Sequence, residues 1–243
     1  MNIPRPTRRF WLANAALFLL AAIAFMPLRW MLGVALTEKG AISASGADGT
    51  IWSGSVFDVT MGNVQAGTFS VGFQPFGVLL GRLGFWFEQP STAGIAGFRG
   101  SVVRSFSSTS AQALEGELPV ADLLPGIPSG KLKLENVSFT WSANKCSAAS
   151  GNVRLEPDGA LFNSLGLQLK MMGRIQCENG MLLVPLTSES AMEKLDLRIR
   201  GDGQYSATAY FQQPAAELAP LLSLAGFAPV AGGFRKVGKG RFW

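Results

Sequence analysis

Few residues of this sequence have side chains that commonly perform catalysis or bind metals. The 243 residues include two cysteines and no histidine. This excludes a Ser-His-Asp or Cys-His nucleophile and a zinc site with two histidine ligands. Two cysteines alone cannot complete a four-cysteine zinc site or hold an iron–sulfur cluster. We therefore expect no catalytic residue, no metal site and no small-molecule substrate.

Glu115 and Glu117 are the two carboxylates whose spacing could support acid–base chemistry. Residues two positions apart lie on the same face of a strand, and paired carboxylates carry out catalysis in many glycoside hydrolases. Such pairs flank a groove that is rich in polar ligands, which this sequence does not show. A solvated strand face is therefore the favoured interpretation of these two residues.

Cys146 and Cys177 have a chemistry that depends on the compartment in which the chain folds. In an oxidising compartment they can form a disulfide, which would stabilise the folded state by about 3–4 kcal/mol in the chain-entropy model. Two buried free thiols are the alternative. The cysteines do not form a C-x-x-C pair and no histidine can lower a thiol pKa, so redox catalysis is not expected.

The strongest single pattern is the uncharged, apolar segment Phe10–Leu28. A helix of this length spans about 28 Å, which is close to the hydrocarbon thickness of a bilayer. We predict a transmembrane helix over residues 10–28, a short cytoplasmic segment over residues 1–9, and a periplasmic β-rich domain over residues 31–243.

The residues around this segment set the predicted orientation and leave one alternative. Positive charges favour the cytoplasmic side and indole rings favour the membrane interfaces. The flanking residues of these two kinds are Arg5, Arg8, Arg9, Trp11 and Trp30. The alternative is a cleaved signal peptide, for which Ala22-Ile23-Ala24 is an acceptable site. In both cases the main body is exported, and the oxidising periplasm favours the disulfide.

The formal charge of +5 does not indicate a nucleic-acid partner. The excess of basic residues lies at the two ends of the chain, because residues 31–234 hold 13 basic and 16 acidic residues, and 13 − 16 = −3. A broad cationic face is therefore not predicted, and no nucleic acid is expected to bind.

The exported body has the alternation of polar and apolar residues that is typical of strands. Alternating runs over 194–200 and 204–211 flank Gly201-Asp202-Gly203 and predict a hairpin. Further predicted strands are 68–73, 81–87, 102–106, 131–141, 165–171 and 174–184, and short helices are predicted at 75–80, 119–124 and 214–225. The predicted fold is mainly β: one N-terminal transmembrane helix, then an antiparallel sheet that is curled or folded into a sandwich, with a few short helices.

Four aromatic residues are candidates for contact with a partner. Trp52 lies between glycines, where the indole either anchors the core or contacts a ligand. In Phe85-Trp86-Phe87 the two phenylalanines share one face and the tryptophan lies on the other. Apolar residues on both faces indicate a strand covered on both sides, an edge that binds a partner, or a groove that faces lipid.

The order of these features resembles the type II secretion system protein N (general secretion pathway protein N) family. The resemblance covers nearly the whole chain, and its features follow a short basic N-terminus. They are the anchor at 10–28, the segments 49–54, 73–81 and 123–126, the pair Cys146 and Cys177, and Gly203-Gln204-Tyr205.

The resemblance implies an accessory component of the platform that exports folded periplasmic proteins across the outer membrane. It implies a non-enzymatic protein of the bacterial inner membrane without a cofactor, whose partners are other platform proteins and inner-membrane lipid. Glycine-tryptophan segments like 49–54 also occur in AsmA-like proteins. The alternative function is therefore an AsmA-like, periplasmic lipid-handling module. A packed inner face of the sheet would favour the first function, and an open apolar groove would favour the second.

Overall fold

The computed structural model of the protein describes residues 8–30, 42–61, 64–91, 97–119, 130–157, 170–214 and 218–241. Its first element is helix α1, Arg8–Ala24, which contains 17 residues. The described side chains of this helix are exposed, and they include Trp11, Leu17 and Phe18. Within the described ranges, no helix combines the length and the hydropathy that a membrane crossing requires.

Most of the remaining described residues belong to antiparallel strands. In chain order the strands are β1 Ile42–Ser43, β2 Gly46–Gly49, β3 Gly54–Met61, β4 Val64–Gln74, β5 Leu83–Gln89, β6 Phe98–Arg104, β7 Ser108–Pro119, β8 Gly130–Ser142, β9 Lys145–Pro157, β10 Met171–Arg174, β11 Gln176–Glu178, β12 Met181–Ser188, β13 Glu193–Ile199, β14 Gln204–Gln212, β15 Ala228–Val230 and β16 Gly233–Arg241.

These strands form one open sheet whose order largely follows the chain. From β3 to β10 each strand pairs with the next one, then come β12, β13 and β14, and β16 lies between β14 and β15. Two short strands lie off this path, with β2 on β3 and β11 on β12. The predicted antiparallel sheet is confirmed, and the described strands form a single sheet rather than the two sheets of a sandwich.

The predicted hairpin is confirmed, whereas the strand predicted over 174–184 is wrong. Strands β13 and β14 pair from Glu193 opposite Phe211 to Ile199 opposite Tyr205. The segment 174–184 instead turns back on itself between β11 and β12, because Asn179 and Gly180 both have a positive φ, at 51° and 75°. Two such residues make the tight turn that suits the twist of a hairpin.

The short helices are confirmed in part. Pro75–Leu80 forms a 3-10 helix that ends at Gly81, whose φ of 68° is left-handed. The third predicted helix is shorter than expected, since helix α2 covers Ala219–Leu224. Pro119 is the last residue of β7. The rest of the helix predicted over 119–124, most of the strand predicted over 165–171 and residues 215–217 lie outside the described residues.

Several strands contain an extra residue that bends them. Asp58, Ala113 and Asn136 have φ values of 50°, 50° and 49°. Each lies at a register shift, in β3, β7 and β8 respectively. Such bulges bend a strand and increase its local twist. Beside the last of them a Cβ on Gly151 would lie 2.5 Å from Val137 Cα, so this approach of two backbones requires glycine.

The core lies on one face of the sheet, which we call the inner face. Its buried residues form one hydrophobic cluster, to which strands from β3 to β14 contribute. The members that come from the central strands include Leu134, Val153, Leu155, Leu182, Val184, Leu186, Leu195 and Leu197. The opposite side of the sheet, which we call the outer face, carries most of the charged residues of β5 to β9.

The structure contains the predicted disulfide between Cys146 and Cys177. The two Cα atoms are 5.5 Å apart. Cys146, near the start of β9, is buried in the core cluster, and Cys177 of β11 packs against that cluster. The backbone N–H of Cys146 also donates to the Gly180 carbonyl oxygen at 2.8 Å. The bridge therefore fastens the β11–β12 hairpin to β9.

Candidate functional site

Trp52 lies at the junction between α1 and the sheet. Its indole Nε1 donates a hydrogen bond to the Ala24 carbonyl oxygen at 2.9 Å, and its ring centroid is 5.8 Å from that of Phe73. Next to it, the Ile51 N–H donates to Met26 and the Ile51 carbonyl accepts from Phe73. These contacts match the anchoring interpretation of Trp52. Its contact with a partner stays a prediction.

The three consecutive aromatic residues of β5 divide between the two faces as their alternation predicts. Phe87 packs on the inner face, where its ring centroid is 6.3 Å from Phe69 and 5.6 Å from Phe98. Phe85 contacts Phe73 at a centroid distance of 5.3 Å. Trp86 has the opposite orientation and is half-buried on the outer face. The two phenylalanines therefore have partners within the chain, and Trp86 is the one that faces outward.

Trp86 pairs in register with Gly72 and Ser101, and this pairing explains where its ring lies. A Cβ on Gly72 would come within 2.5 Å of Trp86 Nε1, so the indole covers the place where a side chain on β4 would be. Because that glycine has no side chain, the ring lies low against the sheet. The indole therefore presents a flat apolar surface on the sheet and does not project from it.

Trp86 lines the first of two adjoining cavities on the outer face, which together we call the outer groove. The first has a volume of about 360 Å³, and the second has a volume of about 620 Å³. They share Glu88, Arg99 and Glu115. The second extends toward β8 and β9, where its charged or amide side chains are Glu117, Lys133, Glu135, Asn136 and Asn152. The groove thus combines one indole with a largely polar and charged lining.

An ion pair lies at the centre of the outer groove. Arg99 donates to Glu115 Oε2 from Nε at 2.9 Å and from Nη2 at 2.5 Å. These hydrogen bonds, and then the charge of the carboxylate, raise the pKa of the Arg99 guanidinium. The side chains are 65% and 38% exposed, so the pair contributes little to stability and its remaining donors and acceptors are open to a partner.

The two carboxylates with catalytic spacing both line this groove. Glu115 is engaged with Arg99, and Glu117 lies opposite Lys133 in the register of β7 and β8. Charges of opposite sign therefore face each other across neighbouring strands, which is the arrangement of a stabilised, solvated sheet face. Among the residues that the structure describes, no group of three or more Cys, Asp or Glu side chains is placed to hold a metal ion.

Arg99 was not predicted as a site residue, although its neighbours Trp86 and Glu115 were noted. The contact depends on the pairing of β6 with β7, which contains an irregularity between Arg99 and Ser101. Alternation within one strand reveals the face on which a residue lies, but not the residue opposite it. A sequence signal for this pair was therefore lacking.

Comparison with known proteins gives one match. A family model described as type II secretion system (T2SS), protein N matches residues 40–238, which include the outer groove and both cysteines. No curated protein and no solved structure matches the chain significantly. Because the family match covers most of the chain, the protein belongs to the type II secretion system protein N family and is a component of that machinery.

Proposed function

We propose that this chain is a non-enzymatic, inner-membrane-anchored component that helps to assemble the type II secretion platform by binding another platform subunit in its outer groove. The observation that carries the proposal is the placement of Trp86 beside an open Arg99–Glu115 pair in that groove. Tryptophan and arginine are enriched among the residues that dominate binding energy at protein interfaces. Because the chain belongs to this family, we expect its partner among the other proteins of the type II secretion system.

Anchoring at the membrane through residues 10–28 is part of the proposal. Its support is the absence of charge from this segment and the exposure of the apolar side chains of α1. The basic residues before the segment favour a cytoplasmic N-terminus and a periplasmic sheet. The hydrogen bonds from Ile51 and Trp52 to the end of α1 would hold that sheet close to the membrane surface.

The alternative of lipid handling has less support. The buried apolar residues of the inner face form one cluster. The outer groove carries Glu88, Arg99, Glu115 and Lys133, and such charges disfavour burial of an acyl chain. A peptide surface with its own charges and amides fits this lining better, because it can pair with these groups.

The test is co-purification of the tagged, full-length chain from detergent-extracted membranes, followed by mass spectrometry. We expect platform proteins with the wild-type chain and at least a fivefold lower recovery with Trp86→Ala or Arg99→Ala. Arg200→Ala is the matched control, since Arg200 also forms an exposed ion pair, with Asp202 at 3.8 Å, and neither residue lines the groove. The control is expected to keep wild-type recovery.

Three results would refute separate parts of the proposal. Equal recovery of platform proteins with all three variants would reject the outer groove as the binding site. Recovery of phospholipid without platform proteins would reject assembly as the function and favour lipid handling. A mature N-terminus near residue 25 would reject the anchor, because the apolar segment would then have been removed as a signal peptide.

A further inference from the structure

The 3-10 helix between β4 and β5 exposes a group of apolar side chains that the core does not use. The helix, Pro75–Leu80, has no charged or hydrogen-bonding side chain, and Phe76 and Leu79 are 85% and 89% exposed. Leu80 and Leu83 are exposed as well. Large apolar side chains that are scattered singly need no explanation, but a contiguous group marks an interaction site.

A second turn contributes to the same group. Phe106, in the turn between β6 and β7, is 98% exposed. A Cβ on Gly81 would lie 2.7 Å from Phe106 Cε2, so the ring of Phe106 rests on the glycine that ends the 3-10 helix. The two turns therefore form one surface. We call Phe76, Leu79, Leu80, Leu83 and Phe106 the apolar tip.

The apolar tip lies at the end of the sheet where α1 is attached. The 3-10 helix begins directly after Gln74. Phe73, the residue before Gln74, donates its N–H to the Ile51 carbonyl oxygen at 2.9 Å. The Ile51 N–H in turn donates to the Met26 carbonyl oxygen at 3.1 Å. Two hydrogen bonds thus connect Met26, two residues beyond the end of α1, to the strand that leads into the tip. A membrane into which α1 inserts is therefore close to the tip.

Basic side chains surround this end of the sheet. Arg82 follows the 3-10 helix, Arg104 lies opposite Leu83 in the register of β5 and β6, and Arg29 follows α1. All three are exposed, and none of them forms a salt bridge within the described part of the chain. Apolar side chains with a fringe of arginine match the interface of a membrane that contains anionic lipids.

We infer that the apolar tip inserts into the headgroup region of the membrane beside the anchor and holds the sheet against an anionic lipid surface. The inference rests on the proposed anchoring of residues 10–28 and adds a second, independent contact with the same bilayer. A protein partner is a weaker candidate for this surface. The five side chains of the tip are apolar and carry no hydrogen-bonding group.

The test measures the depth of single labelled positions in the reconstituted, full-length chain. Leu79→Cys is labelled with an environment-sensitive fluorophore in vesicles of phosphatidylcholine with phosphatidylglycerol, and spin-labelled lipid serves as the quencher. Both described cysteines are in the disulfide, so the introduced thiol is the one expected to react. Ser223→Cys, in α2 at the opposite end of the sheet, is the control for the tip, and Leu17→Cys reports on the anchor.

We expect lipid quenching at positions 79 and 17 and none at position 223. Arg82→Glu combined with Arg104→Glu is expected to reduce the quenching at position 79 by about twofold or more in anionic vesicles, because each arginine adds attraction to anionic lipid. This double change is expected to leave position 17 unaffected. The Leu79→Cys chain is expected to recover platform proteins as the wild type does. This result would show that the tip and the outer groove have different binding roles.

The possible failures are distinguishable. Quenching at position 17 with none at position 79 would reject the tip and leave the anchor in place. Absence of quenching at both positions would reject the anchor, and the inference with it. If the fluorophore at position 79 is shielded from water only at high protein-to-lipid ratios, a second copy of this chain covers the tip. The membrane contact is then rejected.

Discussion

Removal of the disulfide between Cys146 and Cys177 is expected to lower the free energy of unfolding without changing the fold. The perturbation is the double substitution Cys146→Ser with Cys177→Ser, since a single substitution would leave a reactive thiol. The bridge joins residues separated by 31 positions, and it ties the β11–β12 hairpin to the first residues of β9. Both strands also pair with neighbours through backbone hydrogen bonds, which is why the fold is expected to survive.

The separation along the chain sets the magnitude. For a loop of this length the chain-entropy model gives about 3–4 kcal/mol. With a urea m-value of about 2 kcal/mol per molar, the midpoint of unfolding falls by about 1.5–2 M. The loss of packing around the sulfurs adds to this value, because Cys146 is buried in the core cluster.

The assay is urea unfolding of the full-length chain in detergent, followed by tryptophan fluorescence with and without reductant. Reductant should lower the wild-type midpoint by about 1.5–2 M, to a value slightly above that of the double variant, because the reduced chain keeps its sulfur atoms, and it should leave the double variant unchanged. Alkylation of unfolded, unreduced protein should modify neither cysteine. A wild-type midpoint that is insensitive to reductant, or alkylation of both thiols without it, would contradict the reasoning.

The other predictions concern single side chains. Trp52→Phe removes the indole hydrogen bond to α1 and should lower the free energy of unfolding by about 1 kcal/mol, measured by urea unfolding. Gly151→Ala should lower it by about 2–4 kcal/mol through strain at a φ of 117° and contact with the next strand, whereas Gly46→Ala, whose nearest neighbour would be 3.9 Å away, should be neutral. Burial raises the pKa of Tyr205 above its ordinary 10.0. Above pH 10 the unfolded state therefore binds fewer protons than the folded state, and stability should fall as pH rises toward the folded pKa; unfolding that shows no such fall would contradict this.

The parts of the fold that the sequence predicted are those with uninterrupted alternation. The hairpin 194–211 alternates on both sides of a glycine-rich turn, and the structure reproduces it residue by residue. Strands β7 and β9 were missed or only hinted at, because they are rich in Ser, Ala and Gly. In β7 the bulge at Ala113 also shifts the alternation partway along the strand. The turn at Asn179-Gly180 was overlooked because the alternation of residues 174–178 leads directly into an apolar run that starts at Met181.

The candidate site was predictable only in pieces. Alternation placed Trp86 on the face opposite Phe85 and Phe87, and the structure agrees. That Trp86 lines one groove with Arg99 and Glu115 depends on the register of three neighbouring strands. Register is a long-range property, which the pattern within a single strand does not contain.

The order of strands in the sheet has a consequence for how the chain can acquire its structure. Because β3 to β10 pair in succession, each of these strands finds its first partner in the segment made just before it. The entropy cost of closing the loop between two successive partners is small. Pairing can therefore proceed from the N-terminus as the polypeptide emerges. The last strands are the exception. The second partner of β14 is β16, which follows β15 in the chain, so β14 cannot pair with the strand made directly after it. Completion of the sheet therefore depends on the C-terminal residues, and a nascent chain that lacks them ends in an uncovered β14 edge.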